Sequence, residues 1–301
     1  MRLILSLMGA LAVAVVVFLA FPKTSPLDQA ETLFARGEYV SAFKIYLAEA
    51  DEGDPLAQFA VGRILEQGLG PELYDPALAF EYIERSAKSG YGYAMLWLSE
   101  YYNSSNLEVR DDEASLLWLG EAVDQNIPGA WLKLLGDERL YMNMALVQSW
   151  AEQGKPFALN VMYYSSGPLG VDVACSWREQ IKTFDTAVSL LSTGQALAQN
   201  TCGDGDVGAG LARMEQAGEM GFVPAMMALA EYHSDKSLDE TLYWTMVAAR
   251  MGEQAPADVH EMIQVRSVGI PDARLQLLKD RVKQFKVKGQ PPRLRAAEDM
   301  R

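Results

Sequence analysis

Apolar residues recur along most of this chain at the spacing of a helix face. Ala94, Leu98 and Tyr101 fall at i, i+4 and i+7, which places them on one side of an α-helix. The segment 79–87 carries a similar apolar face, and Gly90 separates the two segments. The pattern therefore predicts two helices joined by a turn at Gly90.

This helix–turn–helix pattern returns along the chain. In most units an Ala follows the turn residue four positions later, as Ala94 follows Gly90. An Asn takes the place of glycine once, because Asn adopts left-handed backbone more readily than most residues. Successive turn residues lie 28 to 37 residues apart, except for a gap of 67 after Gly154 that leaves room for one degenerate unit. The predicted turn residues are Gly53, Gly90, Asn126, Gly154, Gly221 and Gly252.

Two distant segments show how closely the units match. The residues AMLWLSEYY from Ala94 share Ala, Met, Leu, Glu and Tyr, at the same places, with AMMALAEYH from Ala225. One helix pair buries too little apolar surface to be stable alone, so such units stack on their neighbours. Gly92 has no counterpart in the other units, and the repeat pattern does not explain it.

The units resemble Sel-one-like repeats, a branch of the tetratricopeptide superfamily. The segment 28–50 looks more like a plain tetratricopeptide helix pair. The resemblance implies an all-α fold, a right-handed α-solenoid of stacked antiparallel helix pairs, and adaptor, assembly or signalling-regulator roles. Tyr82 stands where Trp is usual. The best match comprises Ala50, Gly53, Ala57, Val61, Gly62, Gly68, Gly70, Asp75, Ala79, Tyr82, Ala87 and Gly90.

Five parts are expected along the chain. The last of them is basic, because the sequence from Arg274 onwards contains nine Lys or Arg and three acidic residues. The parts are an N-terminal signal anchor or transmembrane helix (1–25), tetratricopeptide and Sel-one-like repeats (26–160), an irregular or degenerate repeat with the cysteine pair (161–206), further Sel-one-like repeats (207–270), and a capping helix with a basic tail (271–301).

The N-terminus predicts a membrane anchor. Leu3 to Phe21 is nineteen residues without a charged side chain, close to the roughly 20 apolar residues that span a bilayer. A cut after Ala20 would place Phe18 at the −3 position, where signal cleavage requires a small residue. We therefore expect a single-pass anchor in the inner membrane with a periplasmic body. The alternative is secretion to the periplasm after cleavage.

Cys175 and Cys202 are the two cysteines of the chain. Disulfides persist in the compartment that a translocated body would occupy, so a bridge across the 27-residue separation is expected. The alternative is a pair of buried free thiols.

The sequence contains no constellation typical of an enzyme or a metal site. His260 opens HEMIQ, but Gln264 stands where a zinc-protease helix needs its second His. The stretch CGDGDVGAG (202–210) has the glycine spacing of a dinucleotide site, yet no apolar strand precedes it, and Asp204 and Asp206 would repel phosphate. The net charge of −14 argues against a general nucleic-acid binder. We expect no enzymatic activity, cofactor, metal, nucleotide or nucleic-acid partner.

Aromatic residues at repeat positions supply the candidate binding surface. Core packing is their ordinary role, but Trp and Tyr are also frequent anchors of protein interfaces. We expect a non-enzymatic scaffold, adaptor or regulator in the bacterial cell envelope that binds another envelope protein on the concave face of the solenoid. The alternative is an envelope protein that binds glycan or peptidoglycan through exposed aromatics. The candidate residues are Trp97, Tyr101, Trp118, Trp131 and Trp244.

Overall fold

The computed structural model of the chain describes residues 25–252 and 256–288. These residues form seventeen α-helices and one short 3-10 turn, with no β-strand among them. The predicted transmembrane helix and the end of the basic tail lie outside the described residues. Among the helices that are described, none has the length and the apolar character needed to cross a bilayer.

The chain divides into two compact units, with the division after Ser86. In the first unit, alanines and aromatic residues of successive helices form one core, which includes Ala42, Tyr46 and Ala57. Asp54 accepts the Ala57 N–H at 2.7 Å and so caps the third helix. The helices that begin in this unit are α1 (Pro26–Ala35), α2 (Tyr39–Asp51), α3 (Pro55–Gln67) and α4 (Pro76–Lys88).

The second unit contains the remaining helices, and all of them except the last pack against a helix adjacent to them in the chain; the last packs against the helix two before it. A 3-10 turn (Gly167–Leu169) lies between α10 and α11. The helices are α5 (Gly92–Tyr102), α6 (Asp112–Asp124), α7 (Ala130–Leu135), α8 (Glu138–Met142), α9 (Met144–Glu152), α10 (Pro156–Ser165), α11 (Val171–Ile181), α12 (Ala187–Ala198), α13 (Val207–Glu219), α14 (Val223–Tyr232), α15 (Leu238–Ala249), α16 (Val259–Ser267) and α17 (Asp272–Gln284).

The alanine that follows most of the predicted turns begins the inner face of the next helix. Ala94, Ala130, Ala158 and Ala225 are at most 1% exposed. A methyl group at this position lets neighbouring helices approach closely while still burying apolar surface. The repeated Ala of the sequence is therefore a core residue of each helix pair.

The stretch 161–206, predicted to be irregular or degenerate, contains a further helix pair. Helices α11 and α12 are joined by residues 182–186, none of which has a positive φ. Ala187, at the start of α12, is fully buried like the other repeat alanines. The gap of 67 residues between Gly154 and Gly221 thus holds one more unit, without a glycine at its turn.

Polar side chains join this unit to the helix before it. Asn160 of α10 is fully buried; its Nδ2 donates to Ser189 Oγ at 2.9 Å, and its Oδ1 accepts from Ser192 Oγ at 2.5 Å. Both serines lie on α12 and are themselves fully buried. These satisfied hydrogen bonds fix the register of α10 against α12.

Helices α12 and α13 approach each other closely at two glycines, Gly194 and Gly210. A Cβ at Gly194 would lie 2.8 Å from the Gly210 carbonyl oxygen, and a Cβ at Gly210 would lie 2.6 Å from both the Gly194 oxygen and the Ala198 nitrogen. Real Cβ atoms do not approach backbone this closely. The contact explains why the glycine-rich stretch 202–210 ends in a glycine.

The C-terminal helix α17 packs against α15, in the region where the sequence predicted a capping helix. Leu278 and Val282 are 6% exposed and belong to the core that includes α15. Arg274 pairs with Asp239 at 2.9 Å, and Arg281 pairs with Glu240. Because both ion pairs are solvent-exposed, burial of the apolar residues is the larger stabilising term.

Candidate partner-binding site

The predicted turn residues share one backbone conformation. A positive φ at the residue after a helix ends that helix and redirects the chain, and glycine adopts it without steric cost. The φ values are 97° for Gly53, 93° for Gly90, 55° for Asn126, 80° for Gly154, 85° for Gly221 and 62° for Gly252.

Asn126 adds a contact that glycine could not make. Its Nδ2 donates to the carbonyl oxygen of Met220 at 2.7 Å, although the two residues are 94 positions apart. Met220 is the C-cap of α13 and immediately precedes the turn at Gly221. The hydrogen bond therefore holds two repeat turns together, and it satisfies a carbonyl that the end of a helix leaves without an intrahelical partner.

A shallow, open groove with an accessible volume of about 20 Å³ lies between these two turns. We call it the turn groove. Leu132 at its edge is 55% exposed, and none of the residues that line the groove is charged. The residues that give the turn groove its apolar character are Ile127, Pro128, Trp131, Leu132, Phe222 and Pro224.

Asp124 is a half-buried acid at the end of α6. Its Oδ2 accepts the N–H of Phe157, near the start of α10, at 3.1 Å. Its Oδ1 is shielded from solvent and has no hydrogen-bond partner among the described residues. Burial raises the pKa of Asp124 to about 8; the Phe157 hydrogen bond and Lys155 oppose this rise, and Glu121 adds to it. The side chain therefore helps to cap α10 while largely protonated at neutral pH.

Asp124 should lower the stability of the protein as the pH rises from about 4 to about 8. In this interval the folded state keeps a proton that the unfolded chain, with an ordinary pKa of about 3.9, has released. Raising the pH therefore favours unfolding. Asp124→Asn keeps the acceptor for Phe157 and removes the titration, so its denaturation midpoint should change less between pH 5 and pH 8. Equal changes in the two proteins would contradict this prediction.

Three of the candidate aromatics are half-buried. Trp97 and Tyr101 lie one turn apart on α5, with their rings stacked at 5.2 Å between centroids and 17° between planes. Trp118 lies on α6 and is also half-buried. Each of these residues is partly accessible, so a partner could contact it without unfolding a helix.

The other two candidates are buried. Trp131 is 5% exposed; its ring lies 5.9 Å from that of Tyr164, and one side of it lines the turn groove. Trp244 is also 5% exposed and packs in the core of α15, with the ring of Phe285 at 6.1 Å. Trp244 is therefore a core residue and lies away from any surface that a partner reaches.

Sequence reasoning missed most of the turn groove. Pro128, Leu132, Phe222 and Pro224 were not among the candidate residues, because the candidates comprised only Trp and Tyr side chains. All four lie within six positions after a predicted turn residue. Their closeness to a predicted turn could have identified them, because residues next to a turn lie at the ends of helices, where grooves between units form.

The glycine-rich stretch 202–210 has a structural role. Asp206 accepts the N–H of Ala209 at 3.0 Å and caps α13. Asp204 accepts two hydrogen bonds from the guanidinium of Arg178, which is 1% exposed. These hydrogen bonds and those of Lys182 hold the pKa of the Asp204 carboxyl well below its usual range. Both acids that would repel a phosphate are thus engaged within the protein.

Cys175 and Cys202 form a disulfide. Cys175 lies on α11, and Cys202 lies in the turn between α12 and α13. Arg178 lies one helical turn after Cys175, and Asp204 lies two residues after Cys202, so the ion pair and the disulfide connect the same two segments. The turn is therefore held to α11 by two adjacent links.

The described residues contain no group of three or more His, Cys, Asp or Glu side chains that could hold a metal ion. His233 contacts the ring of Tyr232, with 5.2 Å between centroids, and His260 is exposed on α16. Neither histidine therefore belongs to a cluster of candidate ligands in this part of the chain.

No protein-family model matches the chain. Among solved structures, the chain is similar to a protective antigen present in uropathogenic Escherichia coli strains displaying an SLR fold, with 20% identity and a TM-score of 0.45; the match covers 88% of this chain and 54% of that one. The chain thus spans about half the length of this protein. It is also similar to a Sel1 repeat protein from Oxalobacter formigenes, with 21% identity, a TM-score of 0.40 and coverage of 80% and 75%. Both similar proteins carry the repeat class that the sequence resembles.

Proposed function

We propose that the protein is a non-enzymatic scaffold, adaptor or regulator that binds another protein. The observation that carries this proposal is the series of helix pairs, most of which are built around the same left-handed turn and a buried alanine. We propose that these pairs form a right-handed α-solenoid. Stacked repeats of this kind present an extended concave surface, which suits the recognition of another protein.

Trp97, Tyr101 and Trp118 are the proposed contact residues for the partner. Aromatic side chains that are partly accessible and held by a helix bind with little loss of conformational entropy, and they dominate the energy of many interfaces. The stacked pair on α5 is already fixed in one orientation. These residues therefore supply rigid anchors on the proposed concave face.

We propose an envelope location for this activity. The apolar segment 3–21 would anchor the protein in the inner membrane with its body in the periplasm; secretion after cleavage is the alternative. The Cys175–Cys202 disulfide supports an oxidising compartment, because such bonds are rare where thiols are kept reduced. The proposed partner is another envelope protein.

A glycan- or peptidoglycan-binding function is the alternative. It requires aromatic rings that are open to solvent along one groove. Trp131 and Trp244 are each 5% exposed, and the other candidates are half-buried. This burial favours the protein-binding proposal, although Trp131 does line a groove.

Site-specific crosslinking in the native membrane tests the proposed function. A photoreactive phenylalanine at position 118 should capture one defined protein, and the same group at Tyr74, an exposed aromatic of the first unit, is the matched control. The captured protein should bind the purified chain, and Trp97→Ala should weaken that binding. Absence of a captured protein at position 118, together with direct binding of glycan to the purified chain, would replace this proposal with the alternative.

A further inference from the structure

The described chain ends beside the turn groove. After α17 the backbone is extended at Phe285, and residues 285–288 form no regular secondary structure. The Lys288 N–H donates to the carbonyl oxygen of Glu219 at 2.6 Å, and its ammonium group pairs with the Glu219 carboxylate at 2.8 Å. Glu219 is the last residue of α13 and stands two positions before Gly221, which lines the groove. Lys288 is therefore fixed next to one wall of the groove.

The residues that follow Lys288 have the length to reach the groove. They are Gly289, Gln290, Pro291 and Pro292. An extended chain advances about 3.3–3.6 Å per residue, so the two prolines come within roughly 10–14 Å of Lys288. Glu219 and the groove residue Phe222 are three positions apart, a distance of the same order or shorter. Pro291 and Pro292 can thus reach the groove without any movement of α17.

The chemistry of the two prolines fits the lining of the groove. Consecutive prolines favour the polyproline II conformation, which carries no internal hydrogen bonds and loses little entropy on binding. Such segments dock in shallow grooves lined by aromatic residues. Trp131 and Phe222 supply aromatic rings, Leu132 is exposed at the edge, and the lining is uncharged. An uncharged groove suits prolines better than the arginines that follow them.

We propose that Pro291 and Pro292 of the same chain occupy the turn groove. The inference does not depend on the proposed scaffold function, because it concerns the purified protein without a partner. The Lys288–Glu219 contact would place the segment at the groove, and the short connection would keep its effective concentration high, in the millimolar range typical of short flexible tethers.

Photocrosslinking within the purified full chain tests this proposal. A photoreactive phenylalanine in place of Leu132 should form an intramolecular crosslink, in the monomer, to a peptide that contains residues 289–295. The same group in place of Leu107, which is 82% exposed and lies outside the groove, is the matched control and should not form that crosslink. Pro291→Ser combined with Pro292→Ser should abolish the crosslink from position 132.

Three results would overturn the proposal. They are a crosslink from position 132 to a second copy of the chain, no crosslink to the tail, and a crosslink to the tail that survives the double proline substitution. Hydrogen exchange gives a second measurement that needs no substitution in the groove. Amides at 127–132 and 222–226 should exchange faster in the double proline variant than in the unchanged protein, and equal rates would also overturn the proposal.

Discussion

Reduction of the Cys175–Cys202 disulfide is expected to lower the free energy of unfolding by about 3–4 kcal/mol. The bridge spans 27 residues, and the loss of chain entropy on closing a loop of that size in the unfolded state gives a stabilisation of this order. The effect should be a shift of the denaturation midpoint rather than loss of the fold. The Arg178–Asp204 ion pair still connects α11 to the turn after α12 when the disulfide is open.

Denaturant titration with and without reductant measures the effect. Cys175→Ser combined with Cys202→Ser should show the lowered midpoint in both conditions, which controls for other effects of the reductant. Alkylation under denaturing, non-reducing conditions should modify no thiol in protein taken from its native compartment. Two alkylated thiols, or a midpoint that reductant leaves unchanged, would contradict the prediction.

Gly210→Ala is expected to lower the free energy of unfolding by about 1–2 kcal/mol. The added methyl would lie 2.6 Å from the Gly194 oxygen and the Ala198 nitrogen. These are backbone atoms of α12, so relief requires the two helices to separate. Overpacking of this kind costs about 1–3 kcal/mol and occasionally more, and the better helix propensity of Ala recovers at most about 1 kcal/mol.

Gly208→Ala is the matched control for this prediction. Gly208 lies on the same helix, and the nearest atom to an added Cβ is an Asp206 oxygen at 3.5 Å, an ordinary contact distance. The change should leave the midpoint unchanged or raise it slightly, because Ala restricts the unfolded chain. Similar losses of stability in both variants would show that helix separation is not the cause.

The turns of the protein were predictable because they depend on local backbone geometry. Most of the residues that end one helix before the next have a left-handed φ, which glycine and asparagine adopt at little cost. Gly154 and Asn126 could therefore be identified from the sequence without knowing what they contact. The turn between α11 and α12 uses no such residue, which is why the sequence showed a gap there.

Gly92 illustrates what the repeat pattern could not explain. An added Cβ there would lie 2.5 Å from Ile127, a residue of the turn groove that follows Asn126. The need for glycine thus comes from a neighbour 35 positions away. The repeat pattern of the sequence cannot predict such a contact, because the contact depends on how far two helix pairs overlap when they pack.

The sequence by itself determined the helix–turn–helix units and the residues that end them, since the helical period and the left-handed turn are properties of a few consecutive residues. Only the tertiary structure decided that Asn126 meets Met220, that Trp131 lines a groove and that Trp244 lies in the core. The physical reason is that apolar residues recur with the same helical period whether their helix face packs against another helix or borders a groove. The distances between helices determine whether such a residue packs in the core or lines a groove.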